Sequence, residues 1–179
     1  GYKRSKFMGP MIQPAFRGIA VAVLSYTLAL EAPFPQSIYD IKTAIRYFRA
    51  NADKLNIDAD KIFIWGESAG SNVAALVGLT LNTDLHDLNQ GYASVSEDLA
   101  GVIAHYGVFD LLTMNEHKKT LGIEDEWNSS DEDHYMTFWL GKPFDQDPKW
   151  TAKANPISYV KDNTVPFYLI HGLADTMVP

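Results

Sequence analysis

The pentapeptide Gly66-Glu67-Ser68-Ala69-Gly70 carries the strongest chemical signal in the chain. It lies between the apolar run Lys61-Ile62-Phe63-Ile64-Trp65 and the small and aliphatic run Ser71-Asn72-Val73-Ala74-Ala75-Leu76-Val77. That order reads as a strand, a G-x-S-x-G turn and a helix. A serine on such a turn is pushed out of the sheet into solvent. Its backbone is strained there, so small neighbours are expected on both sides. The helix start behind it offers free N–H groups and the positive end of a dipole to a developing oxyanion. The competing reading is structural: serine is also a favoured helix N-cap, and glycine-rich turns after strands are common. Glu67 reads as a neighbour of the turn held by polar contacts.

The elements that would position this turn follow from periodicity. Residues 1–16 read as irregular, ending in a short surface helix at most. Residues 18–26, 61–65, 99–106 and 165–170 are short apolar runs rich in β-branched and aromatic residues, which suits strands buried in a parallel sheet. Residues 36–55 read as a helix, with Ile38, Ile41, Ala44, Ile45, Phe48 and Leu55 on one face and Lys and Arg on the other. A second helix is expected over residues 71–79 and a short one around 134–140, separated by polar stretches at 82–98 and 113–150. Alternating strands and helices imply a mostly parallel α/β sheet with right-handed crossovers and helices on both faces. Sites in such sheets form at the carboxyl ends of strands. Ser68 and Asp175 both fall just past a predicted strand end.

Composition narrows the function classes. A chain of 179 residues with 46% hydrophobic and 21% charged residues fits a single domain over residues 1–179 with a sizeable core. The net charge of −7 argues against nucleic acid or an anionic membrane as partner, since both demand clustered Lys and Arg. The acidic runs Glu124-Asp125-Glu126 and Asp131-Glu132-Asp133 read as solvated. With no cysteine, thiolate catalysis, disulfides and Cys-based zinc sites are excluded. No apolar run is long enough for a membrane-spanning helix, and no signal-peptide pattern occurs in these residues, so the compartment stays open.

Several segments together resemble the α/β-hydrolase superfamily, in its carboxylesterase and feruloyl-esterase-like branch related to hormone-sensitive lipase and kynurenine formamidase. They are Ser25-Tyr26-Thr27-Leu28 with Phe34-Pro35, and the helix from Asp40 to Tyr47. Ile57-Asp58 through Gly70, Ala154-Asn155-Pro156-Ile157, and Phe167 through Pro179 complete the set. The resemblance implies a serine hydrolase cleaving carboxylic esters with short acyl or aryl groups. Ser68 would be the nucleophile, the Ala69 backbone N–H an oxyanion donor and Asp175 the triad acid, with Asp110 as the rival acid and an Asx-type turn as the other role for Asp175. It implies a small-molecule ester as partner and no metal or organic cofactor, and leaves the oligomeric state open. The fold also carries arylformamidases, peptidases and inactive binding proteins, which remain alternatives.

The chain departs from that pattern twice. The triad order is serine, acid, histidine, yet His86, His105, His117, His134 and His171 all precede Asp175. The family's His-Gly-Gly-Gly type oxyanion loop also has no counterpart. The expectation is an internal piece of a longer esterase, truncated at both ends and close to inert alone, with the base beyond residue 179. Residues 111–150 lie where hydrolases insert a cap. Their aromatics (Trp127, Tyr135, Phe138, Trp139, Trp150) would either line an acyl or aryl pocket or pack as a small satellite core.

Overall fold

Three of the apolar runs find one another through their backbones. In a computed structural model, which describes residues 8–83, 85, 91–124, 134–162 and 164–179, they form one parallel sheet. Its order is β1 (Phe63–Glu67), β2 (Gly101–His105), β3 (Phe167–Ile170). Ile64 pairs with Val102 and Val102 with Phe167; Glu67 pairs with His105 and His105 with Ile170. The three strands therefore end on one rung, and Ser68, Tyr106 and His171 leave the sheet side by side.

The helices, in chain order, are α1 (Met8–Ile12), α2 (Gln36–Ala50), α3 (Ala52–Leu55), α4 (Ala69–Leu79), α5 (Met114–Thr120), α6 (Tyr135–Leu140) and α7 (Pro148–Lys153). Short 3₁₀ turns occupy Gln13–Arg17 and Pro156–Tyr159. Helix α4 packs on β1 and β2 and meets α2 with its back. Every residue from Ser71 to Leu79 is consequently buried, which is why this helix is apolar all round. Along each strand alternate side chains face α4: Ile64, Val102 and Ala104 pack there with Ala74. The rows between them carry Phe63, Trp65, Ile103 and Tyr168 to the other face, where Phe63 and Tyr168 stay exposed.

The run over residues 18–26 was expected as a strand and is not one. Residues 19–28 are extended but join no ladder among the described residues, and Ile19 and Val21 are exposed. A strand needs a partner's N–H and C=O groups, and here a side chain fixes the segment instead. The Thr27 N–H donates to Asp40 Oδ2 at 2.7 Å, while Asp40 Oδ1 accepts from Gln36 Nε2 at 2.8 Å.

Beside the Ala74–Val102–Ala104 cluster, most of the buried apolar residues form one main cluster. Ile38, Ile41 and Ile45 of α2 meet Val73, Leu76 and Val77 of α4, and Leu111, Met114, Met136, Leu140 and Phe144 join the same cluster. Leu111, Met114, Met136, Leu140 and Phe144, with Trp139 and Trp150 against them, thus pack into the main core rather than into a satellite. The rings of Trp139 and Trp150 stand edge-on to Phe34 at 5.4 and 5.5 Å, and Trp150 Nε1 donates to Leu140 O at 2.9 Å. Tyr135 and Phe138 remain exposed. Trp127, His86 and the acidic stretch 125–133 lie outside the described residues.

The expectation that Lys and Arg of α2 face water also fails. Lys42 and Arg46 are 0% and 1% exposed. The segment after α4 crosses α2 and brings in Glu97, whose carboxylate meets Arg46 Nη1 at 2.6 Å and Lys42 Nζ at 3.4 Å. Lys42 Nζ also donates to Thr80 O at the end of α4. Burial lowers the Lys42 pKa, and Glu97 opposes that shift. A helix-period reading sees a polar face; the counter-charge that buries it lies far along the chain.

Two predictions follow from this packing. Glu97→Gln leaves two buried cations without their carboxylate and should cost about 3–5 kcal/mol of stability, read from urea unfolding. Gly66 and Gly70 should respond oppositely to alanine. A Cβ on Gly66 would lie 2.0 Å from Gly70 O, whereas one on Gly70 meets nothing within 4 Å. Gly66→Ala should lower the unfolding midpoint sharply, and Gly70→Ala, inside a helix, should be neutral or stabilising by about 0.4–1 kcal/mol.

Candidate active site

Ser68 occupies backbone space that L-residues avoid, with φ 51° and ψ −122°. Such a conformation costs roughly 1–3 kcal/mol and persists where its surroundings enforce it. Here they are fixed from three sides. The Ser68 N–H donates to His105 O at 3.0 Å, tying the turn to the end of β2. Its carbonyl accepts from Ser71 N at 2.9 Å and Asn72 N at 3.2 Å, which closes the first turn of α4. Gly66 lets that turn lie directly against β1, and Gly107 does the same for β2, since a Cβ there would come within 2.5 Å of Ser71 Oγ. The expectation of an enforced small residue on both sides of the serine holds for Gly66; the space beside Gly70 is open.

The Ser68 side chain is exposed and makes no capping hydrogen bond to α4, although it stands at the N-cap position. The Ala69 N–H, at the positive end of the helix, has no acceptor among the described residues. A hydroxyl and an N–H are therefore presented together at the carboxyl edge of the sheet.

Asp175 lies on the loop after β3. Its Oδ1 accepts from Met177 N and Val178 N, both at 2.9 Å, an Asx-type turn. Its Oδ2 lies 3.5 Å from His171 Nε2. Since β1 and β3 flank β2, the strand ends from which Ser68 and the Asp175 loop emerge are about 10 Å apart, two strand spacings.

Asp110, the rival, is differently employed. Its Oδ1 accepts from Asn155 Nδ2 at 2.6 Å and Leu112 N at 3.0 Å, and its Oδ2 from Thr113 Oγ1 at 2.8 Å. Three of the described histidines are engaged as well. His105 lies half-buried between the rings of Trp65 and Tyr106, at 5.3 and 6.0 Å. His134 caps α6 through Met136 N and stacks on Tyr135 at 4.3 Å. His171 Nε2 is 2.6 Å from Val178 O. No described histidine hydrogen-bonds both Ser68 and Asp175.

Three residues near the turn escaped the sequence reading. Tyr106 has φ 40°, and its hydroxyl bonds Glu67; burial first, then that carboxylate, raises its pKa. Asn72, one turn into α4, donates to Val108 O at 2.6 Å and Ala154 O at 3.4 Å. Asn155, 1% exposed, accepts from Leu111 N at 3.0 Å while donating to Asp110. Together the two amides close a neck where the chain leaves the sheet near 108–111 and returns at 154–155. A lone amide in an otherwise apolar helix was the available signal, because a buried amide must be bonded.

Among the described residues no group of acidic or histidine side chains is arranged to hold a metal ion, and no helix is long and apolar enough to cross a membrane.

Comparison with known proteins agrees with this geometry. The BD-FAE family model matches residues 2–179. Esterase LipQ of Mycobacterium tuberculosis is 31% identical over 157 residues, covering 87% of this chain and 34% of that protein. Esterase LipC of the same organism is 29% identical over 167 residues, covering 92% of this chain and 38% of that protein. The solved structure of a truncated carbohydrate esterase from gut microbiota superposes with a TM-score of 0.75 at 28% identity, over 88% of this chain and 56% of that one. The chain spans little more than a third of the length of these curated relatives. With its parallel sheet, its strand-turn-helix around Ser68 and a family match along almost all of its length, this chain belongs to the BD-FAE family and has the α/β-hydrolase fold.

Proposed function

We propose that the protein is a serine hydrolase that cleaves carboxylic esters through an acyl-enzyme on Ser68. One observation carries the reading: Ser68 is held at φ 51° with an exposed hydroxyl that does not cap the helix it precedes. A capping serine would sit in ordinary extended backbone and bond an N–H of the first turn. Strain without a capping bond is what a presented nucleophile requires. The names of Esterase LipQ, Esterase LipC and the gut-microbiota carbohydrate esterase support the same reaction class.

In this reading Ser68 Oγ attacks the ester carbonyl while a histidine takes its proton. The tetrahedral oxyanion is stabilised by the Ala69 N–H at the start of α4. The histidine then protonates the leaving alcohol, and water, activated by the same histidine, releases the acid. Asp175 orients that histidine and stabilises its imidazolium. No described histidine bridges Ser68 and Asp175, and the curated relatives, of which this chain spans little more than a third, are long enough to carry a base and further oxyanion donors outside the matched part. The cycle calls for no cofactor. In this reading residues 111–150 are a cap-like insertion in the same domain, attached at the Asn72–Asn155 neck, with the exposed Phe138 placed to meet a short acyl or aryl group.

The test uses the complete polypeptide, a fluorophosphonate and intact mass. One adduct is expected, absent in Ser68→Ala, together with a loss of at least about 10⁴-fold in aryl acetate hydrolysis. Hydrolysis that survives in Ser68→Ala, or no adduct on the active protein, would overturn the proposal. Relative rates on matched ester, anilide and formamide substrates fix the leaving group.

A further inference from the structure

His171 is the first residue past β3 and lies four positions before Asp175. Its Nε2 sits 2.6 Å from Val178 O. A carbonyl oxygen can only accept, so Nε2 carries a proton in the neutral ring as well as in the charged one. The bond spans the whole acid loop: it joins the end of a sheet strand to Val178, which is 7% exposed and packed in the main core. Inside the loop, Asp175 N donates to Gly172 O at 3.2 Å, and Asp175 Oδ1 receives both Met177 N and Val178 N. With Oδ1 held by two backbone donors, the plane of the carboxylate is set, and Oδ2, 3.5 Å from His171 Nε2, is the oxygen that carries no backbone bond.

Little else restrains this segment. Leu173 and Met177 are 107% and 68% exposed, so before Val178, which packs in the main core, side-chain packing does little to hold the loop. Its geometry depends on one Asx turn and one imidazole. The same bond removes His171 Nε2 as a proton acceptor for Ser68 and leaves Nδ1 as the basic nitrogen of the neutral ring.

We propose that His171 is a positioning residue for Asp175: its Nε2–H···O=C bond to Val178 closes the loop and holds Oδ2 towards the site. The inference rests on the reading of Asp175 as the triad acid. Protonation of the ring leaves the Nε2–H donor in place, so the strut works in either charge state.

The test measures kcat, KM and the pH profile of aryl acetate hydrolysis by the complete polypeptide. Asp175→Asn should lower kcat by about 10⁴-fold. His171→Ala should lower kcat by about 10–100-fold through misplacement of the carboxylate, with KM nearly unchanged. It should also shift the acidic limb of kcat/KM to lower pH, because a displaced carboxylate supports the imidazolium of the base less. His171→Gln, whose amide nitrogen reaches the Nε2 position, should restore most of kcat. His171→Asn, whose amide is too short, should not, and it serves if the alanine variant fails to fold. Wild-type kcat and an unmoved limb in His171→Ala or His171→Asn, with Asp175→Asn inactive, would overturn the positioning role and leave the acid in place. Full activity in Asp175→Asn would overturn the acid reading and this inference with it.

Discussion

The site depends on how closely the first turn of α4 approaches β1. A single hydrogen in place of a side chain at Gly66 permits it; a Cβ there would occupy the position of the Gly70 carbonyl. With the helix this close, the chain has one residue in which to turn from strand to helix. An ordinary turn is too wide, so Ser68 takes the positive φ. The strain at the serine is thus a consequence of helix-on-sheet packing. It is balanced by what that packing buries: Val73, Ala74, Leu76 and Val77 are each at most 4% exposed, and burial of such side chains stabilises by about 1.5–3 kcal/mol for the larger ones.

Because the turn is rigid only if α4 is, both ends of that helix are tied by polar bonds inside an apolar core. Near its start, Asn72 donates to the carbonyls of Val108 and Ala154. At its end, Lys42 reaches Thr80 O from α2, and Glu97 neutralises part of the charge that comes with it. Burying a lysine and an arginine to secure a helix end is costly in isolation, as the lowered Lys42 pKa reflects. It becomes tolerable because one carboxylate, itself 3% exposed, serves both cations. The same two ties couple α4 to the segment after it and to the neck of residues 111–154, so the helix behind the serine is also where the insertion is anchored.

Features set by neighbours in the chain were legible in the sequence, and features set by distant partners were not. The run 61–65, the glycine-bounded serine and the small residues after it determine β1, the turn and α4 together. The observed strand sits two residues later, at Phe63–Glu67, because its register is chosen by pairing with β2. Ile38, Ile41 and Ile45 were readable as a buried face from their spacing. Lys42 and Arg46 were not, since their burial depends on Glu97, about fifty positions away. The run 18–26 shows the converse: its residues suit a strand, but β-propensity reports a fit to a pleated, half-buried surface and cannot supply the partner. At the site, Ser68 and the position of Asp175 past a strand end were visible. The bonds that define Asp175, Asp110, Tyr106 and His171 are loop contacts with no period to reveal them.

Ser68 and Asp175, the proposed nucleophile and acid, are consequently held by different kinds of force. Ser68 is fixed by secondary structure: a sheet rung, the first turn of a helix, and the core behind both. Its position can change only if α4 moves, which would disrupt the buried cluster. The Asp175 loop is fixed by a handful of local hydrogen bonds on a surface where Leu173 and Met177 are open to water. Each such bond is worth about 0.5–1.5 kcal/mol net, so the loop is adjustable at a cost the serine turn could not meet. Local opening therefore concentrates at the Asp175 loop rather than at the Ser68 turn. In the proposed mechanism that asymmetry is tolerable because the acid acts through a histidine: a small error in the carboxylate tilts a ring, whereas the same error at Ser68 would misplace the reacting atom itself.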